Sequence, residues 1–460
     1  MILMPRIHLK VGWLVCAVLY AAFTLFGATT GYAEAPAGID TIDNIVVIFM
    51  ENRSFDNLLG TFPGANGIAS AGEAARQSDE RGAVYATLPQ PMNASLKPPQ
   101  PDPRFPANLP NGPFQIDKYV PLAEKTGDLV HRFYQEQMQI NDGRMDRFVA
   151  VSDAKGLVMG YYDGRKTTLW RYAKRYVLAD NFFHAAFGGS FLNHFWLVCA
   201  CTPRFPGAPE PLIAKLSKAG TLIKDGAVTP DGYAVNTVQS RFMPHSPKIT
   251  DMNTLLPPQE GVTIGDRLSE KGVSWAWYSG GWNNAVAGKP DELFQFHHQP
   301  FAYFKQFGDG TEARKEHLKD EADMMAAIAQ AALPAVVFYK PLGDENEHPG
   351  YADVASGDRK LKTVMRALER SPQWKHMAVI ITYDENGGLW DHVAPPKADR
   401  WGPGTRVPAV IVSPMAKRRF IDHTQYDTTS ILRFIERRFN LKPLGSRDAN
   451  ANDLTNAFAL

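Results

Sequence analysis

The 460-residue chain carries 49 Lys and Arg against 48 Asp and Glu, a formal net charge of +1. A balance so near neutrality excludes bulk basicity as a means of holding nucleic acid or an anionic membrane. The hydrophobic content of 44% suits a globular protein with a sizeable core, and three cysteines are too few to staple a fold of this length.

The chain opens with Arg6, His8 and Lys10, continues in an apolar stretch over 11–28, and reaches small residues that offer cleavage after Ala33 or Ala35. That is the layout of a secretory signal peptide over 1–33; an uncleaved N-terminal anchor is the rival reading. No second apolar segment is long enough to span a bilayer, so no stable membrane span is expected after cleavage. Export implies an oxidising compartment in which only Cys199 and Cys201 remain. A bridge between residues two apart is expected to be strained, so the two read as small, buried apolar side chains. They are also too few for a structural zinc site.

Beyond the signal, four apolar runs read as buried strands: 44–50, 335–340, 377–384 and 407–414. Helical patterns fall at 128–141, 321–332, 354–369 and 428–439. Near-continuous apolar strands alternating with helices predict an α/β fold with a mostly parallel sheet covered on both faces. Residues 34–460 read as one domain with two insertions, near 70–114 and over 202–262. The first includes the proline-rich run 86–114, which excludes helix or central strand.

The first strand ends in Glu51-Asn52-Arg53, and the strand at 377–384 ends in Asp384-Glu385. Ligands of parallel α/β sheets bind outside the carboxyl ends of the strands. If these two strands are neighbours, their oxygens converge, and converging carboxylates call for a cation among them. Mg, Ca or Mn suits such hard oxygen ligands, and Zn also accepts carboxylates. The alternative has the acids capping helices or pairing with Arg53. A candidate nucleophile lies in "FFHAAFGGSFLNHFW", where Gly188-Gly189 permits close backbone approach and Ser190 opens a predicted helix. The plainer reading is a serine N-cap.

The motifs "ENRSFDNLLGTFPGANG", "FGGSFLNHFW", "GDENEHPG" and "TYDENGGLWDHVAPP", running in order toward "SRDANANDL", resemble the phosphoesterase family of bacterial phospholipases C and certain acid phosphatases. That family belongs to the alkaline phosphatase superfamily. The resemblance implies an alkaline-phosphatase-like three-layer α/β/α sandwich that hydrolyses phosphate esters through a phosphoserine. It implies that Glu51, Asn52, Asp384 and Glu385 hold a divalent metal ion and that Ser190 is both ligand and nucleophile. It further implies that His131, His298 and His348 line the phosphate pocket, with His297 and Asn193 as additional substrate contacts.

The expected activity is that of an acid phosphatase acting on a small phosphate ester. The alternative is a phospholipase C acting on phosphatidylcholine-type lipids, and a non-catalytic phosphate-binding protein comes third. The expected location is periplasmic or secreted. Trp282, Phe294, Phe296, Phe301 and Tyr303 could wall a lipid site or form core. Asp344, Glu345 and Glu347 are expected to keep His348 protonated, which predicts greatest activity at mildly acidic pH. His392 and Asp391 are expected to orient Asp384 and Glu385.

Overall fold

The computed structural model describes residues 38–459, so the predicted export signal and both of its cleavage candidates lie outside the described residues. Eight strands make the main sheet: β1 (Asn44–Met50), β2 (Val177–Ala179), β3 (Trp275–Ser279), β4 (Leu318–Asp320), β5 (Val336–Lys340), β6 (Met377–Tyr383), β7 (Ala409–Val412) and β8 (Phe420–Asp422). Their spatial order is β4, β3, β5, β1, β6, β7, β2, β8. Only β7 runs against its neighbours; every other pairing is parallel. All four predicted strands are present. The other four were passed over because three of them span only three residues, too short for any periodicity to show.

The central strands are apolar on both faces because helices cover both. All seven residues of β1 are buried, as are all seven of β6. Each large aliphatic side chain so placed stabilises the fold by about 1.5–3 kcal/mol. The covering helices include α1 (Phe55–Leu59), α2 (Phe133–Ile140), α3 (Thr168–Arg175), α4 (Ser190–Cys199), α5 (Glu321–Ala329), α6 (Val354–Arg370) and α7 (Thr428–Phe439). In one layer α6 packs against α3 and α5, and in the other α4 packs against α7. The result is a three-layer α/β/α sandwich. Asp353 and Asp427 cap α6 and α7 by accepting backbone N–H bonds, which fixes where those helices begin.

Two sequence expectations change here. The helix expected over 128–141 starts only at Phe133, because 129–132 runs in an extended path between two loops. Cys199 and Cys201 are disulfide-bonded. The bridge is possible because Ala200 adopts a left-handed φ of 47°, which folds the chain back and brings the two Cα atoms to 5.1 Å. Residues 86–114 carry the two-residue pair Met92–Asn93 with Gln100–Pro101, and 202–262 carries the hairpin of Lys215–Leu216 with Leu222–Lys224. Among the described residues no helix is long and apolar enough to cross a membrane.

Candidate active site

Because β1 pairs in parallel with β6 on one side and β5 on the other, all three strands deliver their last residues to one edge of the sheet. Glu51 and Asn52 follow β1, Asp384 and Glu385 follow β6, and Lys340 closes β5. No glycine or proline turns the chain after β1; Asn52 does so itself with a left-handed φ of 52°, a conformation asparagine tolerates better than most residues. Arg53 takes neither acid as partner, and its guanidinium donates instead to the Glu347 carbonyl at 2.7 and 3.0 Å. Helix α1 is capped by Ser54. Glu51 is therefore free for the site.

Ser190 enters from α4. It is not the N-cap; that position belongs to Gly189, and no side chain caps the helix. The Ser190 hydroxyl instead sits 3.2 Å from Glu51 Oε2, 3.3 Å from Asn52 Oδ1 and 3.5 Å from Glu385 Oε1. Asp384 joins the group through Oδ1, which accepts the backbone N–H groups of Asn52 and Glu385. Three fully buried carboxylates are thus packed together. Burial first, and then the Glu51 carboxylate, push Asp384 up to about 7. Burial and the adjacent Asp384 hold Glu385 well above the usual carboxylate range.

Oxygen atoms so arranged, with Asp384 Oδ2 buried and accepting no hydrogen bond, fit a divalent cation held by Glu51, Asn52, Asp384, Glu385 and Ser190.

The histidines rim the cluster. His131 and His348 each place Nδ1 2.5 Å from a backbone carbonyl, those of Leu129 and Pro349, and so fix Nδ1 as the protonated donor. Their Nε2 atoms face inward, 3.9 Å from Glu385 and 4.0 Å from Glu51 respectively. His298 Nε2 lies 3.0 Å from Glu51 Oε1. The His297 ring stands 4.6 Å from that of His298, one layer further out.

Three expectations are corrected. Asn193 does not face the cluster, because its carboxamide is spent on the serine loop, accepting from Ala186 N and donating to the carbonyls of Ala186, Gly188 and Gly189. His392 and Asp391 do not orient Asp384 and Glu385; they form a separate buried network with Asp56 and Arg406. The acids near His348 do not charge it: Asp344 is exposed, Glu345 pairs with Lys360 and Glu347 accepts from the Tyr383 hydroxyl. Burial instead lowers His348 and His298 well below their ordinary value and His297 to about 3. Of the five aromatics that could wall a lipid site or form core, Trp282, Phe294, Phe301 and Tyr303 are buried core, and Phe296 is half-buried.

Two residues escaped the sequence reading. His194 lies one turn after Ser190 on α4, donates from Nδ1 to the Ser190 carbonyl at 2.7 Å and stacks on His298 with ring centroids 5.0 Å apart. The i, i+4 spacing from Ser190 was the available signal. Lys340 is fully buried beside Glu51 and 3.6 Å from Asp384. A charged residue ending an apolar strand was the same signal that singled out Glu51.

Glycines let the backbone segments meet. A Cβ on Gly188 would come within 2.5 Å of Phe133 N, and one on Gly189 within 2.8 Å of the His131 carbonyl. A Cβ on Gly388 would collide with the Val130 carbonyl, and one on Gly387 would stand 2.5 Å from the Asn52 carbonyl.

The chain that folds this strand-end carboxylate cluster around a helix-borne serine belongs to the Phosphoesterase family, whose model matches residues 42–442. It is a phosphoric ester hydrolase. Over 469 residues it is 25% identical to "Phospholipase C A" of Mycobacterium tuberculosis, covering 93% of this chain and 79% of that protein. It is 24% identical to "Non-hemolytic phospholipase C" of Pseudomonas aeruginosa over 91% of this chain and 57% of that one. A shorter stretch of 141 residues is 35% identical to "Non-specific phospholipase C1" of Arabidopsis thaliana. Among solved structures, an alkaline phosphatase superfamily protein from Vibrio parahaemolyticus overlays with a TM-score of 0.34 at 12% identity, covering 72% of each chain, too loosely to bear on function.

Proposed function

We propose that the protein is a metal-dependent phosphomonoesterase of the acid phosphatase kind, with Ser190 as nucleophile. The observation that carries this reading is the position of Ser190 Oγ, within 3.5 Å of oxygens from Glu51, Asn52 and Glu385. Glu51, Asn52, Asp384 and Glu385 would hold the ion together with Ser190. When bound, the ion supplies a lowered pKa for the serine hydroxyl and offsets negative charge on phosphoryl oxygens. Ser190 Oγ attacks phosphorus, the ester oxygen departs, and water later releases phosphate from the serine.

His131 and His348 present Nε2 to the leaving group because their Nδ1 atoms are committed to carbonyls. His131 can relay through Nε2 the single proton of an incoming phosphate monoanion to the departing oxygen, while His348, which burial keeps neutral, lines the pocket. A phosphate monoester has its second pKa near about 6, so turnover is expected to fall as pH rises through that value. Retention of aromatic side chains in the core supports a small substrate, because Trp282, Phe294, Phe301 and Tyr303 are not available to wall an acyl chain.

The phospholipase C names of the relatives favour a second reading, cleavage of phosphatidylcholine-type lipids. The deciding experiment is hydrolysis of a chromogenic phosphomonoester and of phosphatidylcholine vesicles, side by side over about pH 5 to 8 with Mg, Ca, Mn and Zn. Preferential turnover of the monoester sustains the phosphatase reading, and preferential turnover of the lipid replaces it. An exported location, periplasmic or secreted, is part of the proposal. The signal-like pattern over 1–33 and the Cys199–Cys201 disulfide support it, since cytosolic proteins rarely keep disulfides.

A further inference from the structure

The net charge of +1 conceals a local segregation of charge. Helix α3 is amphipathic: Leu169, Trp170 and Ala173 are buried, whereas Arg171, Lys174 and Arg175 are exposed. The turn into β8 adds Arg419, whose backbone N–H donates to the Arg175 carbonyl at 3.3 Å and so ties the two basic segments together. Between them lies a cleft of about 500 Å³, a size that suits a small-molecule site. Its floor is apolar, made largely by Phe62, Trp170 and Ile421, with the Phe62 and Trp170 rings 4.7 Å apart. Arg171, Lys174 and Arg419 line it as well, and no acidic residue does.

The nearby acids are already engaged. Asp163 pairs with Arg165 at 2.6 Å, and Asp358 accepts the backbone N–H groups of Thr168 and Leu169 at the start of α3. Lys174 and Arg419 are thereby left without an ion pair among the described residues. The other flank of α3 extends the positive field, since Arg171, Arg175, Lys362 and Arg366 stand there around Glu369 alone. Strand β8 is the edge of the sheet, four places along from β1. At about 4.8 Å per strand, that sets the cleft roughly 19 Å from the strand that delivers Glu51.

We propose that this cleft is a second binding site, separate from the carboxylate cluster, for a single-chain anionic amphiphile. Its carboxylate or phosphate head pairs with Lys174, Arg171 and Arg419, and its tail covers Phe62, Trp170 and Ile421. An inorganic anion would satisfy the cations and leave the floor wet, and a neutral apolar molecule would do the reverse; an amphiphile answers both. No serine, histidine or carboxylate lines the cleft, so the ligand is held there without being hydrolysed. The inference is independent of which ester Ser190 cleaves.

The test is titration calorimetry of the full chain with monomeric dodecanoate, with dodecyltrimethylammonium, inorganic phosphate and phosphatidylglycerol vesicles as the other probes. Wild type is expected to bind one dodecanoate per chain, to ignore the cationic amphiphile, and to hold dodecanoate against an equal concentration of phosphate. Lys174→Glu together with Arg419→Glu, both at exposed positions, is expected to weaken dodecanoate about tenfold or more. Turnover of a chromogenic monoester by that variant is expected to be unchanged. Unchanged dodecanoate affinity in the variant, or competitive inhibition of the monoester reaction by dodecanoate in wild type, would place the amphiphile elsewhere and overturn the site. Displacement by phosphate, or equal binding of the cationic amphiphile, would overturn the ligand class. Sedimentation with vesicles that is lost in the variant, without binding of the monomer, would make this face a membrane-docking surface and overturn the proposal too. Should the double variant not fold, Lys174→Gln is expected to weaken dodecanoate about threefold, and unchanged affinity there would be equally decisive against it.

Discussion

Glu136 Oε2 accepts the backbone N–H of Gly188 at 2.5 Å, two residues before Ser190. The same carboxylate accepts Thr405 N at 3.0 Å and lies 2.9 Å from His184 Nε2. Glu136 therefore positions the serine loop from behind, as Asn193 does from the α4 side. Glu136→Gln would set an amide N–H against backbone donors and is expected to destabilise the fold by about 1–3 kcal/mol. Loosening the loop is expected to lower kcat by roughly tenfold to a hundredfold with little change in KM. Steady-state kinetics with thermal melting checks this; a loss of stability with kcat intact would reduce Glu136 to a structural role.

The His184–Glu136 pair also carries a pH signature. Burial alone would lower His184, but the Glu136 carboxylate outweighs it and raises the imidazole above 6.5. A histidine raised on folding contributes stability that is fully present below its unfolded value and is lost as pH rises through the folded one. The stability gap between wild type and Glu136→Gln is thus expected to narrow as pH rises above about 6.5. Melting curves at intervals between mildly acidic and alkaline pH would show it, and a gap independent of pH would argue for a neutral pair.

Ser190→Ala is expected to cut turnover on the order of a thousandfold or more, with the fold intact. Its hydroxyl bonds only within the cluster and caps no helix, so its removal costs little stability. Residual hydrolysis close to wild type would take Ser190 out of the mechanism.

Glu436 on α7 is buried, with the Arg433 guanidinium 3.8 Å away, and burial, then a hydrogen bond with Asp448 and the charge of Asp448, push it up to about 9. Its folded pKa exceeds the unfolded value of 4.5. The folded state therefore retains a proton that the unfolded chain releases, and stability falls with rising pH between those values, by at most about 1.4 kcal/mol per unit. Glu436→Gln is expected to melt above wild type at about pH 8 and to match it near pH 4. Equal melting temperatures at both would mean that Glu436 is ionised in the fold.

The Cys199–Cys201 disulfide closes a loop of minimal length. Chain entropy then limits its stabilisation to about 1.5 kcal/mol. Cys201→Ser is expected to lower the melting temperature slightly and to leave turnover unchanged; a collapse of the fold would show that the bridge does more than hold the end of α4.

What the sequence revealed follows from where the polarity changes. Glu51, Asp384 and Ser190 stood out because each interrupts an apolar run, and the parallel pairing of β1 with β6 then brings the two strand ends together. Glu136 and His194 gave no such contrast, since each sits inside a helical pattern and acquires its role from a partner distant in sequence or a turn away. Asn193 and His392 were misassigned for the opposite reason: both can bond to several neighbours, and only the three-dimensional arrangement decides which. Strands of three residues, such as β2 and β8, depend on sheet neighbours for their existence. The disulfide required a left-handed Ala200 that composition does not announce.

Gly188 and Gly189 crowd one flank of the extended stretch over 129–133, and Gly388 crowds the stretch at Val130. Two loops far apart in sequence are thereby the jaws of one vice, and the stretch that carries His131 is the workpiece. The gap is set by the missing side chains, so it acts as a gauge for how near the imidazole comes to Glu385. Alanine in either jaw would push the ring outward without touching a single charged group, which makes backbone clearance itself a determinant of the chemistry.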